Sequence, residues 1–248
     1  MKAMVFAAGQ GLRLRPLTDK TPKALVAVAG RAMIEYPLLL LRHHGIRDII
    51  INLHHLGEQI ETHLGDGSKL GLDIRYSRED TLLDTGGGLL KAMPFLQDGT
   101  FIAINNDVLI DLPLSDLIAF HQEKSALATL VLRHDELADQ YGSMEIDSDG
   151  RLNRFLCTKR PGAQSSTPAK FMFTGVQVLE PRIFDHMRSD VIAPKFSTTK
   201  DTYPELLLKN EALYGFRFDG YWQDLGTQER IREAETSLLQ GTTRLHYL

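Results

Sequence analysis

The 248 residues contain a single cysteine, Cys157. That excludes an internal disulfide framework and any cysteine-based metal site, and it points to a reducing, cytoplasmic compartment. Nowhere do eighteen apolar residues run together, so no membrane span is expected. The opening MKAMVFAAGQG has one lysine and a short apolar run, but it passes into glycines and arginines instead of a leader cleavage site. Positive charge is not in excess: the net charge is −4, so there is no global basic field for nucleic acid. No Gly-Lys-Ser/Thr phosphate-loop ending occurs, nor any repeat, low-complexity segment or hexapeptide β-helix array.

What is present is an ordinary globular balance, 43% hydrophobic and 24% charged, on a length that suits one large α/β domain. Strand-like apolar runs lie at 3–8, 48–53, 72–77 and 100–107, and helical patterns at 32–45, 56–67 and 85–96 fall between them. Such alternation predicts an α/β fold of Rossmann type, a three-layer αβα arrangement around a mostly parallel central sheet. After residue 111 the rhythm changes. A helix is expected over 113–124, a strand over 126–133, and two strands over 142–156 about the turn Asp147–Gly150. A loop over 160–169 follows, then a strand over 170–180 and a helix over 201–210. The segment 212–227 reads as a strand leading into a loop, and 227–240 as a helix docked at the surface.

The connection after the first strand reads AAGQGLRLRPLTDKTPK, residues 7–23. In open α/β sheets ligands sit at the carboxyl ends of the strands. Gly9 and Gly11 allow positive φ and close approach to the backbone, and successive N–H groups there form an anion nest. Arg13, Arg15 and Lys23 add charge-assisted bonds suited to phosphate oxygens. The dinucleotide fingerprint is excluded, because Leu14 stands where its third glycine belongs and Pro16 follows. The plain alternative is a glycine turn whose arginines face water; the clustered charge and the preceding strand favour a triphosphate cradle. Further along, INND (104–107) places Asp107 just after an apolar strand at the same edge, where a carboxylate can hold Mg²⁺ or simply cap the next turn.

The segment AAGQGLRLRPLTDKTPKALVAVAG resembles the signature of the sugar-1-phosphate nucleotidyltransferases, or nucleoside-diphosphate-sugar pyrophosphorylases. It departs from that pattern with Leu12 in place of Thr and Ala24 in place of Pro. The resemblance extends over about residues 2–237, because later motifs recur in order. It implies a GT-A-like nucleotidyltransferase fold with small additional β elements for the sugar. It also implies a nucleotide-binding half at 1–111, a sugar-binding half at 112–226 and a C-terminal helix and tail at 227–248. Nucleotide contacts then fall to Ala7, Ala8, Gly9, Gln10, Gly11, Leu12, Arg13, Asp84, Thr85, Gly86, Gly87 and Asn105. Arg13, Lys23 and Asp107 would carry the chemistry. GYWQDLGT (220–227) looks like the family's W-x-D-x-G-T, which makes Asp224 a second Mg²⁺ ligand beside Asp107.

LLDTGGGLLKAM (82–93) matches the segment that receives the nucleoside, and its form resembles the N-acetylmuramate-1-phosphate uridylyltransferase branch. Three glycines opening a helix cost about 1 kcal/mol each relative to alanine, a burden more easily explained by a ligand than by scaffold. For the sugar, the resemblance implies Gly142, Lys159, Thr174 and Gly175. No glutamate stands where the family has E-K-P, so the acceptor extends to a phosphorylated non-sugar such as choline phosphate. The implied partners are an NTP, UTP favoured with GTP or CTP as alternatives, and a sugar 1-phosphate. Neither nucleic acid nor membrane is expected, and self-association is compatible with the sequence. Rival readings are a mannose- or heptose-1-phosphate guanylyltransferase, a phosphocholine cytidylyltransferase, and a non-catalytic nucleotide-sugar sensor. His43–His44 and His54–His55 are read as surface or loop histidines, since adjacent side chains on a helix diverge.

Overall fold

The computed structural model describes residues 1–135, 138, 143–163, 170–187 and 195–248. The chain forms two compact units. The first comprises Met1–Leu82, Ala103–Leu112 and Gly220–Leu248; the second comprises Leu83–Ile102 and Pro113–Asp219.

The first unit begins with β1 (Lys2–Phe6), continues through a small hairpin, β2 (Ala27–Val28) and β3 (Arg31–Ala32), and reaches helix α1 (Glu35–His43). Strand β4 (Asp48–Leu53), helix α2 (Gly57–Leu64) and strand β5 (Asp73–Arg78) complete the alternation. β1 pairs with β4 and β4 with β5, both parallel, with Val5 opposite Ile51 and Ile51 opposite Tyr76. The run IIINL in β4 is buried throughout, the pattern of a central parallel strand covered on both faces. Tyr36 of α1 is 1% exposed and donates its hydroxyl to the Val28 carbonyl at 2.7 Å, tying the hairpin to the helix. Burial pushes that phenol's pKa up.

The strand expected over 100–107 is shorter than that: β6 (Phe101–Asn105) stops before Asn106–Asp107, and a further strand, β7 (Val108–Ile110), follows the turn. A second difference lies at 212–227, where the structure adds a short strand, Trp222–Asp224, antiparallel to β7. Three residues with one apolar side chain show no period; their strand state comes from the partner at 108–110. The last helix of this unit, Gln228–Leu239, is capped by Thr227, whose hydroxyl accepts from the Arg230 N–H at 3.3 Å.

The second unit holds α3 (Asp84–Leu96), α4 (Leu114–Glu123) and a mixed set of strands: β8 (Ala128–His134), β9 (Met144–Ile146), β10 (Leu152–Phe155), β11 (Thr158–Lys159), β12 (Phe171–Leu179) and β13 (Leu213–Arg217). Helix α5 (Tyr203–Leu208) precedes β13, and the Trp222–Asp224 strand and the last helix are accordingly β14 and α6. β12 is antiparallel to β8, which pairs parallel with β13; β9, β10 and β11 run antiparallel in sequence. The turn expected at Asp147–Gly150 is present, with Asp147 Oδ1 accepting the N–H groups of Asp149 and Arg151 at 3.0 and 2.9 Å. The register between β12 and β8 shifts between Phe173 and Gln177, a bulge that contains Thr174 and Gly175. Of the loop expected over 160–169, residues 164–169 lie outside the described residues.

One buried histidine in this unit gives a pH prediction. His121 is 1% exposed, with Nδ1 2.9 Å from Thr129 Oγ1 and Nε2 3.2 Å from Glu180 Oε1, which also accepts from Thr100 at 2.6 Å. Burial lowers its pKa; Glu180 opposes that shift and Arg182 adds to it. A folded-state pKa below the ordinary 6.5 means that the unfolded chain binds the proton more readily. The stability from neutral His121 is therefore complete above pH 6.5 and lost as pH falls. Melting temperatures from pH 7.5 to 5 should fall less steeply in His121→Gln than in the wild type. Parallel slopes would show that His121 contributes nothing to the acid limb.

Candidate active site

The opening loop is built as three short 3₁₀ turns, Leu12–Leu14, Leu17–Asp19 and Lys23–Leu25. Leu14 is fully buried and anchors the first turn, which leaves Arg13 and Arg15 outward. Gly11 sits at φ +65°, and its carbonyl accepts the Leu14 N–H at 2.9 Å and the Thr18 hydroxyl at 2.8 Å. A Cβ there would lie 2.9 Å from Thr18 Cγ2, so both conformation and space require glycine. Gly9, Gln10, Gly11, Leu12, Arg13, Lys23, Leu82 and Gly226 line one cavity of about 380 Å³. Bare backbone and two of the three basic residues named in the sequence thus face a common space.

The loop is fastened from below by groups that motif reading missed. Ala7 and Ala8 are 3% and 5% exposed, and the Ala7 N–H donates to Asn52 Oδ1 at 2.9 Å. Asn52, at 3% exposure, donates in turn to Glu79 Oε1 at 2.8 Å, and His54 Nδ1 lies 2.9 Å from the Glu79 carbonyl. The sequence signal was available: Asn52 is a polar residue inside an apolar strand, and such a group requires a partner. His54, set aside as a metal ligand, is in fact a backbone contact of this network.

The two aspartates meet through strand pairing. Asp107 follows β6 and forms an ion pair with Lys23; the side chains are 16% and 12% exposed. Asp224 ends β14 opposite Val108, and the Leu225 N–H donates to the Asp107 carbonyl at 2.8 Å. Residues 117 positions apart in sequence, 224 minus 107, therefore stand at neighbouring places on one ladder. Asp224 Oδ1 accepts the Gly226 N–H at 3.0 Å and Arg230 Nη1 at 2.5 Å. Asn106 has a structural use: its side-chain amide and its N–H both donate to the Phe6 carbonyl, at 2.7 and 3.2 Å. It clamps the end of β1, which accounts for a bulky residue before Asp107.

Among the described residues no group of three or more His, Cys, Asp or Glu side chains could hold a metal. The donor set still fits Mg²⁺, which keeps several waters and takes one or two carboxylates plus substrate phosphates. Gly226 is the tight point. A Cβ there would lie 2.5 Å from Arg13 Nη2 and 2.7 Å from Asp224 Oδ1. Arg13 has a flexible end, but the Asp224 oxygen is held from two sides. Gly226→Ala should therefore lower kcat by about 10-fold or more while costing about 1 kcal/mol or less in stability. A variant with wild-type kinetics would show that this approach is relieved without consequence.

In the second unit Asp84 opens α3 at φ +62°, and its carboxylate accepts the Thr85 N–H at 2.7 Å. The Thr85 hydroxyl accepts from the Thr198 N–H at 2.9 Å, and the Gly86 and Gly87 N–H groups donate to the Phe196 carbonyl at 2.9 and 3.2 Å. A Cβ on Gly86 would stand 2.3 Å from the Phe196 ring. At this position packing against Phe196 by itself requires glycine. The N–H groups of Gly86 and Gly87 already have partners. Thr174 is 1% exposed, and its hydroxyl donates to the Val131 carbonyl at 2.9 Å. Gly175 occupies the bulge at φ +87°, and Lys159 is exposed on β11. Asn105 is half-buried at the end of β6 in the first unit, and Gly142 lies outside the described residues.

Residues 2–241 match the nucleotidyl transferase family. The N-acetylmuramate alpha-1-phosphate uridylyltransferase of Neisseria meningitidis serogroup B is 35% identical over 237 residues, covering 95% of this chain and 97% of that protein. The UTP–glucose-1-phosphate uridylyltransferase of Synechocystis is 33% identical over 239 residues, and the match spans 91% of this chain but only 60% of that longer protein. The crystal structure of HddC from Yersinia pseudotuberculosis superposes with a TM-score of 0.78 at 22% identity, over 96% of this chain and 99% of that one, a likeness of fold. The chain belongs to the nucleotidyl transferase family.

Proposed function

We propose that the protein condenses an NTP with a sugar 1-phosphate to give an NDP-sugar and pyrophosphate, with UTP the favoured nucleotide. The observation that carries this reading is the shared cavity of the 9–13 backbone, Arg13 and Lys23, with Asp107 on Lys23 and Asp224 on Gly226. A sugar-phosphate oxygen forms a bond to the α-phosphorus, and the bond from that phosphorus to the bridging oxygen breaks, so pyrophosphate leaves with its electron pair. Such transfers need little covalent help; positioning and charge neutralisation supply most of the acceleration. Loop N–H groups and Arg13 bind the departing phosphates, and Lys23 faces the transferring phosphoryl group. Asp107 and Asp224 would hold Mg²⁺, which supplies charge neutralisation on phosphate oxygens when bound. The preference for UTP rests on the A-A-G loop and the D-T-G-G-G segment, together with the likeness to the Neisseria uridylyltransferase.

The test is pyrophosphate release with UTP, GTP, CTP and dTTP, each against N-acetylmuramate 1-phosphate, glucose 1-phosphate, mannose 1-phosphate and phosphocholine. UTP with a sugar 1-phosphate should give the highest kcat/KM. Preference for CTP with phosphocholine would replace the acceptor. Nucleotide binding without turnover on any pair would convert the reading to that of a sensor.

A further inference from the structure

The geometry points to Arg230 as the positioning residue that aims Asp224 at the divalent cation, an inference that rests on the metal role proposed above for that aspartate. Arg230 lies in the first turn of α6, three residues after the capping Thr227. Its Nη1 is 2.5 Å from Asp224 Oδ1, and the Gly226 N–H approaches the same oxygen at 3.0 Å. Two donors on one oxygen restrict the carboxylate's rotation. The other oxygen, Oδ2, is thereby left as the side that can bind a cation. Backbone order reinforces the device: Asp224, Gly226, the Thr227 cap and Arg230 follow one another within seven residues. The strand end, the turn and the helix start are therefore contiguous in the chain. Arg13 packs against the same Gly226, which places the aimed carboxylate beside the phosphate cradle.

Two consequences of removing the guanidinium oppose each other. A freed carboxylate loses its set orientation, and deleting an outer partner of a metal ligand typically weakens metal binding about 10- to 100-fold. Removing a positive charge near the cation acts in the other direction. The Arg230 side chain is 37% exposed, so solvent screens that charge and orientation should dominate. The expected result for Arg230→Met is a loss of about 5- to 10-fold in affinity, at or just below the lower limit of that range because the lost positive charge offsets part of it.

The experiment titrates Mn²⁺ alone into the full chain and reads free ion by electron paramagnetic resonance, with no turnover required. Arg230→Met should bind Mn²⁺ about 5- to 10-fold more weakly. Arg230→Lys, which retains a donor and the charge, should recover most of the loss. In assays kcat should fall in Arg230→Met with little change in the KM for NTP. Asp107→Asn and Asp224→Asn serve as references. If they weaken Mn²⁺ binding while Arg230→Met leaves it unchanged or tightens it, the positioning inference is overturned and the metal reading stands. If none of the variants alters Mn²⁺ affinity, both are wrong. Thermal melts of the Met and Lys variants separate a local effect from loss of the α6 cap.

Discussion

Asp107→Ala is expected to lower kcat for pyrophosphate release by about a thousandfold, equivalent to about 4 kcal/mol of transition-state stabilisation. The size follows from what this carboxylate does twice over. It is one of the two acids proposed for the cation, and it is the ion-pair partner of Lys23, whose side chain is 12% exposed at the cavity wall. Removing it both weakens charge neutralisation on the phosphates and releases the ammonium from its anchored place. A double-mutant cycle separates these contributions. If Lys23 acts through its anchorage on Asp107, Lys23→Ala should add little to an enzyme that already lacks Asp107, and the two losses should not sum. Fully additive losses would mean that the two groups act independently. Asp107→Ala with kcat within 10-fold of wild type would remove Asp107 from the reacting centre altogether. The Leu225 N–H bonds to the Asp107 backbone carbonyl, which survives the substitution, so β7 and β14 should remain paired.

How much of this could be read from the chain follows from the range of the interactions. The parallel βαβ part was legible because its signals are local: IIINL in β4 is apolar but for Asn52, and α1 carries its leucines in one continuous buried run. The cradle was legible because Gly11, Arg13 and Lys23 fall within thirteen residues of one loop, with the turn chemistry written beside them. β7 and β14 were not legible, since neither three-residue strand has a period and each exists because the other pairs with it. Arg230 and Asn52 were missed for a related reason. Their roles appear only when a strand end and a helix start, or two parallel strands, are placed side by side. In the run Gly86–Gly88 the packing role was not legible: at Gly86 the neighbour that requires a missing Cβ is Phe196, over a hundred residues away. The bond from the Thr174 hydroxyl to the Val131 carbonyl was hidden in the same way, because a motif match gives a position but not the direction of its hydroxyl.

The buried network beneath the loop gives the second large effect, this time on stability. In Asn52→Ala the Ala7 N–H loses its acceptor and Glu79 Oε1 loses a donor, both in surroundings less than 6% exposed. An unsatisfied buried group costs about 1–3 kcal/mol and more when charged, so the pair predicts a loss of about 3 kcal/mol. For a chain of this length that corresponds to about 6–12 °C in melting temperature. Asn52→Asp tests the chemistry more sharply than alanine does. It keeps the shape and the acceptor for Ala7, but it sets a second carboxylate against Glu79 in place of an amide donor. It should therefore destabilise at least as much as alanine, whereas a purely steric role would leave it close to wild type. Asn52→Asp combined with Glu79→Gln restores one donor and one acceptor in reversed order, and most of the stability should return. Recovery of stability together with turnover would show that the acid-amide contact holds the phosphate loop in its working shape. A double variant as unstable as Asn52→Asp alone would show that other contacts of Glu79 dominate.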